Sequence, residues 1–151
     1  MAEAMVNSLL RLRAEEADDL AVISSCLQDA IARIGDMSYN ARLRCFALVL
    51  TRFRWELVDE LGSEGGVRVR CGVHFDDVLR VQAQGIDMGD QTGLLPLLAV
   101  TCEDADYGVA ILLQFAGGGS LRLEAEAISC RMSDIDQGWP TPSRPDHNLK
   151  L

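Results

Sequence analysis

Aromatic residues are scarce: four Phe, two Tyr and two Trp account for 5% of the 151 residues. A core built mainly from large rings is therefore excluded, and burial falls to the aliphatic residues that bring the apolar share to 48%. Lysine is almost missing, since Lys150 is the single one beside 13 arginines. The 14 basic residues face 23 acidic ones, for a formal net charge of −9, which argues against a protein held to nucleic acid mainly through phosphates. Long hydrophobic runs are lacking too. The longest uncharged stretch, Tyr107 to Leu121, has 15 residues and carries Gly117, Gly118 and Gly119, short of the ~18–20 apolar residues that span a bilayer. A basic segment followed by an apolar one is not found near Met1, so no signal peptide is expected. The five cysteines (Cys26, Cys45, Cys71, Cys102, Cys130) form no C-x-x-C pair, and an odd number fits neither a disulfide framework nor a zinc knuckle. They read as reduced, buried small hydrophobes, and the expected setting is the cytoplasm, with no membrane contact.

What remains is enough for one globular unit. A chain of this length forms one domain and buries roughly 68–70% of the surface its unfolded form exposes; its apolar content excludes disorder. No internal repeat or low-complexity linker divides it, so residues 1–151 are expected to form a single domain, with 134–151 as an extended tail holding Pro140, Pro142 and Pro145.

Leu9 to Arg13 reads as a short strand. Acids at Glu15, Glu16, Asp18 and Asp19 then precede Leu20, Ile23, Leu27 and Ile31, whose three- and four-residue steps predict an amphipathic helix over about 16–28. Thereafter the period is two. Segment 42–55 alternates with Phe46, Leu48 and Leu50 on the even side, flanked by Arg42, Arg44, Arg52 and Arg54; segment 67–75 sets Val67, Val69, Cys71, Val73 and Phe75 against Arg68, Arg70 and His74. Further strands are expected at 78–84, Leu94–Thr101, Tyr107–Phe115 and Leu121–Cys130, the third of these starting after a Glu103–Asp106 turn. Leu94–Thr101, apolar on both faces, belongs at a central position, with Pro96 near its start. The expected fold class is α+β, mainly antiparallel β: one N-terminal helix packed on about six or seven strands closed into a barrel or stacked as a two-layer sandwich, with a pleckstrin-homology-like barrel as one candidate.

Four arginines form the most suggestive constellation. A hairpin through 56–66 would bring Arg52 and Arg54 near Arg68 and Arg70, and like charges across strands need an acidic answer. Glu56, Glu60, Glu64 or the Glu124/Glu126 strand supply one in the plainer reading, as surface ion pairs. In the functional reading the four arginines bind an anion or a partner. Phe46, Leu48 and Leu50, an arginine-flanked apolar band, are a candidate interface if the helix leaves them uncovered, and Trp139 in the tail is a candidate docking residue. Glu124 and Glu126, ~7 Å apart on one strand face, have acid–base spacing, but alternating acids on a solvated strand are commoner. His74 with Asp76 and Asp77 lacks a second His for zinc, and His147 sits in the tail. Gly117–Gly119 is followed by Leu121-Arg122 and lies between strands, so it is a hairpin turn and not a phosphate loop. No Gly-x-Ser-x-Gly occurs. No catalytic, cofactor or metal residue is assigned.

Several stretches carry a resemblance: Asp19 through Ala30, Ile34-Gly35-Asp36-Met37, Arg52 through Glu56, Phe75-Asp76-Asp77-Val78-Leu79, and Arg122-Leu123-Glu124 onward to Trp139, Thr141, Pro145 and His147. Together they resemble a domain-of-unknown-function family of small bacterial cytosolic proteins, over about residues 10–147. The resemblance implies one compact unit, a helix ending near Gln28 and a strand starting near Ala30. It implies no activity, cofactor or catalytic residue. The functional expectation is thus a small cytosolic, non-enzymatic binding or interaction module, with a protein or a small anionic ligand as partner and homodimerisation as one form of it. The alternative is a small-ligand-binding or enzymatic protein with a pocket in the sheet interior. RNA binding through an arginine face is disfavoured by the net charge.

Overall fold

The computed structural model describes residues 9–57 and 65–141. It opens with strand β1 (Arg11–Ala14) and helix α1 (Ala17–Cys26). Asp18 and Asp19 lie in the first turn of α1, where carboxylates complement the positive end of the helix dipole. Leu20, Ile23 and Leu27 fall on one side and are each 1% exposed, so the apolar stripe read from the sequence is the buried one. The helix ends as the Leu27 N–H donates to the Ile23 and Ser24 carbonyls, and Asp29, at φ 64°, turns the chain into the sheet.

The sheet is built from β2 (Ile31–Asn40), β3 (Cys45–Phe53), β4 (Gly66–Phe75), β5 (Val78–Gln84), β6 (Leu94–Ala105), β7 (Gly108–Phe115), β8 (Ser120–Ala125), β9 (Cys130–Asp134) and β10 (Trp139–Thr141), with a 3-10 turn at Trp55–Leu57. All pairings are antiparallel, in the order β1-β9-β4-β3-β2-β6-β7-β8-β5, and β10 pairs with the first residues of β4. The barrel or sandwich expected from the strand count is therefore corrected. Among the described residues ten strands form one open sheet, and β1 and β5 are its edges. The dominance of antiparallel β and the single helix stand; closure does not.

The extra strands have local explanations. β2 breaks its alternation at a bulge between Ala32 and Met37, which hides its period. Residues 121–130, read as one strand, are split into β8 and the start of β9. β10 lies within the Pro-rich stretch, where Pro140 needs no ladder donor on a short edge. Asp134, the proposed start of the tail, is the last residue of β9; Pro142, Pro145 and His147 lie outside the described residues.

One hydrophobic cluster fills the inner face. It takes Phe46, Leu48 and Leu50 from β3, Cys71, Val73 and Phe75 from β4, Ile111 and Leu113 from β7, Leu121 and Leu123 from β8, and the apolar side of α1. Residues from both halves of the open sheet share this cluster, so the sheet curls around it with α1 as a plug. α1 also closes the place where β2 and β6 part after three paired residues: Ser24 Oγ accepts the Val100 N–H at 2.9 Å, and Asp29 N–H donates to the Leu97 carbonyl at 2.8 Å. Among the described residues no helix is long and apolar enough to cross a membrane.

Candidate functional site on the outer face of β4

The β3–β4 register decides where the four arginines go. Arg52 lies opposite Val69, Phe53 opposite Arg68 and Thr51 opposite Arg70. Side chains directly opposite share a face, so Arg52 points with Val69 into the core side while Arg68 and Arg70 point outward. The hairpin expected through 56–66 is present, but it separates the arginine pairs onto opposite faces instead of gathering them.

Arg52 is 0% exposed and Arg54 is 2% exposed. Arg52 forms two forked contacts. Its Nε and Nη2 donate to Asp134 Oδ1 and Oδ2, both at 2.9 Å, and its Nη1 and Nη2 donate to Glu56 Oε1 and Oε2 at 3.0 and 2.8 Å. Arg54 Nε donates to Glu56 Oε2 at 3.1 Å. Asp134 Oδ2 also accepts the Leu10 N–H at 2.9 Å, tying the chain before β1 into the cluster. Burial works to raise the Glu56 pKa, but the hydrogen bonds and charge of Arg52 outweigh it and hold the carboxyl at about 2. Burial likewise opposes the charge on Arg52, and its two carboxylate partners more than offset that, raising its pKa. The cluster pairs its charges internally, with Arg52, Arg54 and Asp134 buried and Glu56 partly open to solvent; it staples β3, β9 and the 3-10 turn.

Of the acids expected to answer the arginines, Glu56 does. Glu60 and Glu64 lie outside the described residues. Glu124 contacts Arg122 at 3.5 Å in a half-buried pair and Glu126 contacts Arg44 at 2.8 Å in an exposed one, so each carboxylate has its own cation. Asp134 and Asp136 are the partners that sequence reasoning missed. Asp134 had a signal: it continues the inward period of Cys130 and Met132, and a carboxylate at a core-facing position calls for a buried cation.

The apolar band is also relocated. Phe46, Leu48 and Leu50 are 2%, 2% and 1% exposed, because the even side of β3 faces the core, so they are packing residues and not a surface interface. The odd side, Ala47, Val49 and Thr51, forms the half-buried floor of the outer face. There Val49 lies opposite Gly72, and Gly72 lies opposite Ser133. Two adjoining grooves of about 440 and 500 Å³ run over this floor and share Asp36 and Val49. Their rim holds Arg33, Arg70, His74, Arg131, Leu94 and Ile135. Arg33, Arg70 and Arg131 contact Asp36, Asp136 and Asp76 at 3.2, 3.6 and 3.4 Å, all in exposed pairs, the kind that costs little to rearrange.

Cys45 Sγ lies 3.6 Å from His74 Nδ1 on the same face. Burial, with Asp76 adding to it, pushes the Cys45 thiol pKa up, so the pair favours a neutral thiol over a nucleophilic thiolate. No group of three His, Cys, Asp or Glu side chains among the described residues is arranged to hold a metal. Trp139, 41% exposed, pairs across from Arg68 in β10, so it shares the outer face with Arg68 and Arg70.

A family model described as "Protein of unknown function (DUF2948)" matches residues 10–147. The chain belongs to this family. The match covers β1 through β10 and runs past the last described residue, so the buried ion cluster and the outer face both lie inside the DUF2948 unit. Comparison with curated proteins and with solved structures gives no match.

Proposed function

We propose that this DUF2948 protein is a small, non-enzymatic cytoplasmic binding module whose working surface is the outer face of β2, β3, β4 and β9. One observation carries the reading: two contiguous grooves over a floor of small and half-buried residues, bordered by arginines whose own ion pairs are exposed and exchangeable. A sheet face of this form suits an extended protein segment lying along β4, with apolar side chains on the floor and anionic groups at the rim. A second copy of the chain fits less well, since it brings an identical arginine rim and its own net charge of −9.

Selection from a displayed library of random dodecapeptides tests this, followed by mapping of the enriched peptides through backbone amide shifts. The expected result is shifts centred on Val49, Thr51, Gly72 and His74, and loss of binding in Gly72→Arg. That substitution blocks the floor without breaking it, because a Cβ at Gly72 meets only Ile135 Cδ1, at 3.7 Å. Enriched peptides that map elsewhere, or that bind Gly72→Arg unchanged, overturn the proposal.

A further inference from the structure

We propose that Arg68 anchors a carboxylate subsite at the Trp139 end of the outer face, taking an acidic side chain of a protein segment whose neighbouring apolar side chain packs on Trp139. This rests on the binding-face reading and assigns the partner's chemistry.

Arg68 is the central residue of a three-strand row, with Phe53 on one side and Trp139 on the other. Its guanidinium carbon lies 5.7 Å from the Phe53 ring centroid, within range of a cation–π contact. The ring itself is fixed: Phe53 is 0% exposed, Trp55 meets it edge-on at 4.7 Å, and Gly66 leaves the space a Cβ would take from it. On the other side, Gly138, at φ 83°, lets the chain turn against the Arg68 carbonyl and deliver Trp139 beside it. The guanidinium thus lies over a fixed ring, with Trp139 at the adjacent register position.

It has no anion. Arg33, Arg44, Arg52, Arg54, Arg70, Arg122 and Arg131 each contact a carboxylate. Half-buried Arg68 forms no ion pair among the described residues, and its Nη1 is buried without a hydrogen-bond acceptor. A partly desolvated cation without a partner is costly, and a planar fork of donors matches a carboxylate by two parallel hydrogen bonds. A phosphate site would gather several cations, but Arg52 and Arg54 are withdrawn into the core on Glu56 and Asp134. A half-buried guanidinium beside an exposed indole, with Arg70 next along the face already on Asp136, therefore favours a carboxylate next to an apolar group.

The probe is the capped hexapeptide Glu-Glu-Phe-Glu-Glu-Phe, with Gln-Gln-Phe-Gln-Gln-Phe, inorganic phosphate and poly(U) as comparators, titrated against the full chain and followed by the Trp139 indole N–H resonance. Saturable binding of the Glu peptide alone is expected, with a weakening of about 10-fold or more in Arg68→Gln, a smaller one in Arg68→Lys, and loss of the apolar contribution in Trp139→Ala. Circular dichroism checks the fold of each variant; if Arg68→Gln does not fold, Arg68→Lys and Trp139→Ala decide. Equal binding of the Gln peptide, a preference for phosphate or poly(U), or affinity untouched by the Arg68 and Trp139 substitutions overturns the subsite. If displayed peptides still map to Gly72 and His74 but are free of acids and indifferent to Arg68, the binding face stands and the carboxylate subsite falls.

Discussion

Replacing Arg52 by Met removes a cation that touches both Asp134 and Glu56 and leaves a nearly isosteric apolar chain. Among the described residues Asp134, with a side chain 0% exposed, then keeps only the Leu10 N–H, so its carboxylate becomes a buried charge without a counter-ion there. Breaking such a pair from one side costs about 3–5 kcal/mol, a large part of the ~5–15 kcal/mol that holds a typical domain together. At ~2–4 °C per kcal/mol for a chain of this size, the midpoint falls by roughly 6–20 °C. Glu56 suffers less, because it is 30% exposed and retains Arg54 Nε at 3.1 Å. Adding Asp134→Leu to Arg52→Met removes the orphaned carboxylate and restores much of the loss, giving a coupling of about 2 kcal/mol or more in a double-mutant cycle. Urea unfolding followed by tryptophan emission measures all four corners of that cycle. A single-variant loss under about 1 kcal/mol, or a double variant no more stable than the sum of the singles, refutes the reasoning.

Two further outcomes follow from the same burial. The Glu56 carboxyl is lowered from 4.5 to about 2, so its contribution is complete above the unfolded value and is lost as pH falls through the folded one. With allowance for its partial exposure this is about 1–3 kcal/mol; urea midpoints of Glu56→Gln should lack that loss between pH 4.5 and 2, and parallel curves for variant and wild type would contradict it. Burial pushes the Cys71 and Cys130 thiols up to about 12, so both resist a thiol reagent at pH 8 in the native protein and react in urea, and mass mapping that finds either one labelled in the folded protein counts against the placement.

Much of the fold was legible because period and face are local properties. The stripe of Leu20, Ile23 and Leu27, the alternation of Val67 to Phe75, and the range of β5 can each be read without knowing any partner. The candidate site was harder. Arg68, Arg70 and Trp139 were visible as residue types, but their meeting depends on β10 returning to the start of β4, and that pairing joins residues some 70 positions apart. Arg52 and Asp134 show the same limit at 82 positions. Each occupies an inward step of its own strand, which signals a buried charge, yet nothing local says which charge answers which.

The sequence by itself determined a mainly antiparallel sheet with one helix, the alternation of β3, β4 and β8 and the total charge, since these follow from composition and short-range spacing. Only the tertiary structure decided that the sheet stays open, that the even side of β3 is the inner one, and that two arginines are buried on carboxylates while half-buried Arg68 meets none among the described residues. Those outcomes hang on register. A one-residue shift between β3 and β4 exchanges the faces of every side chain, and register is set by packing across the whole sheet, which no window of sequence contains.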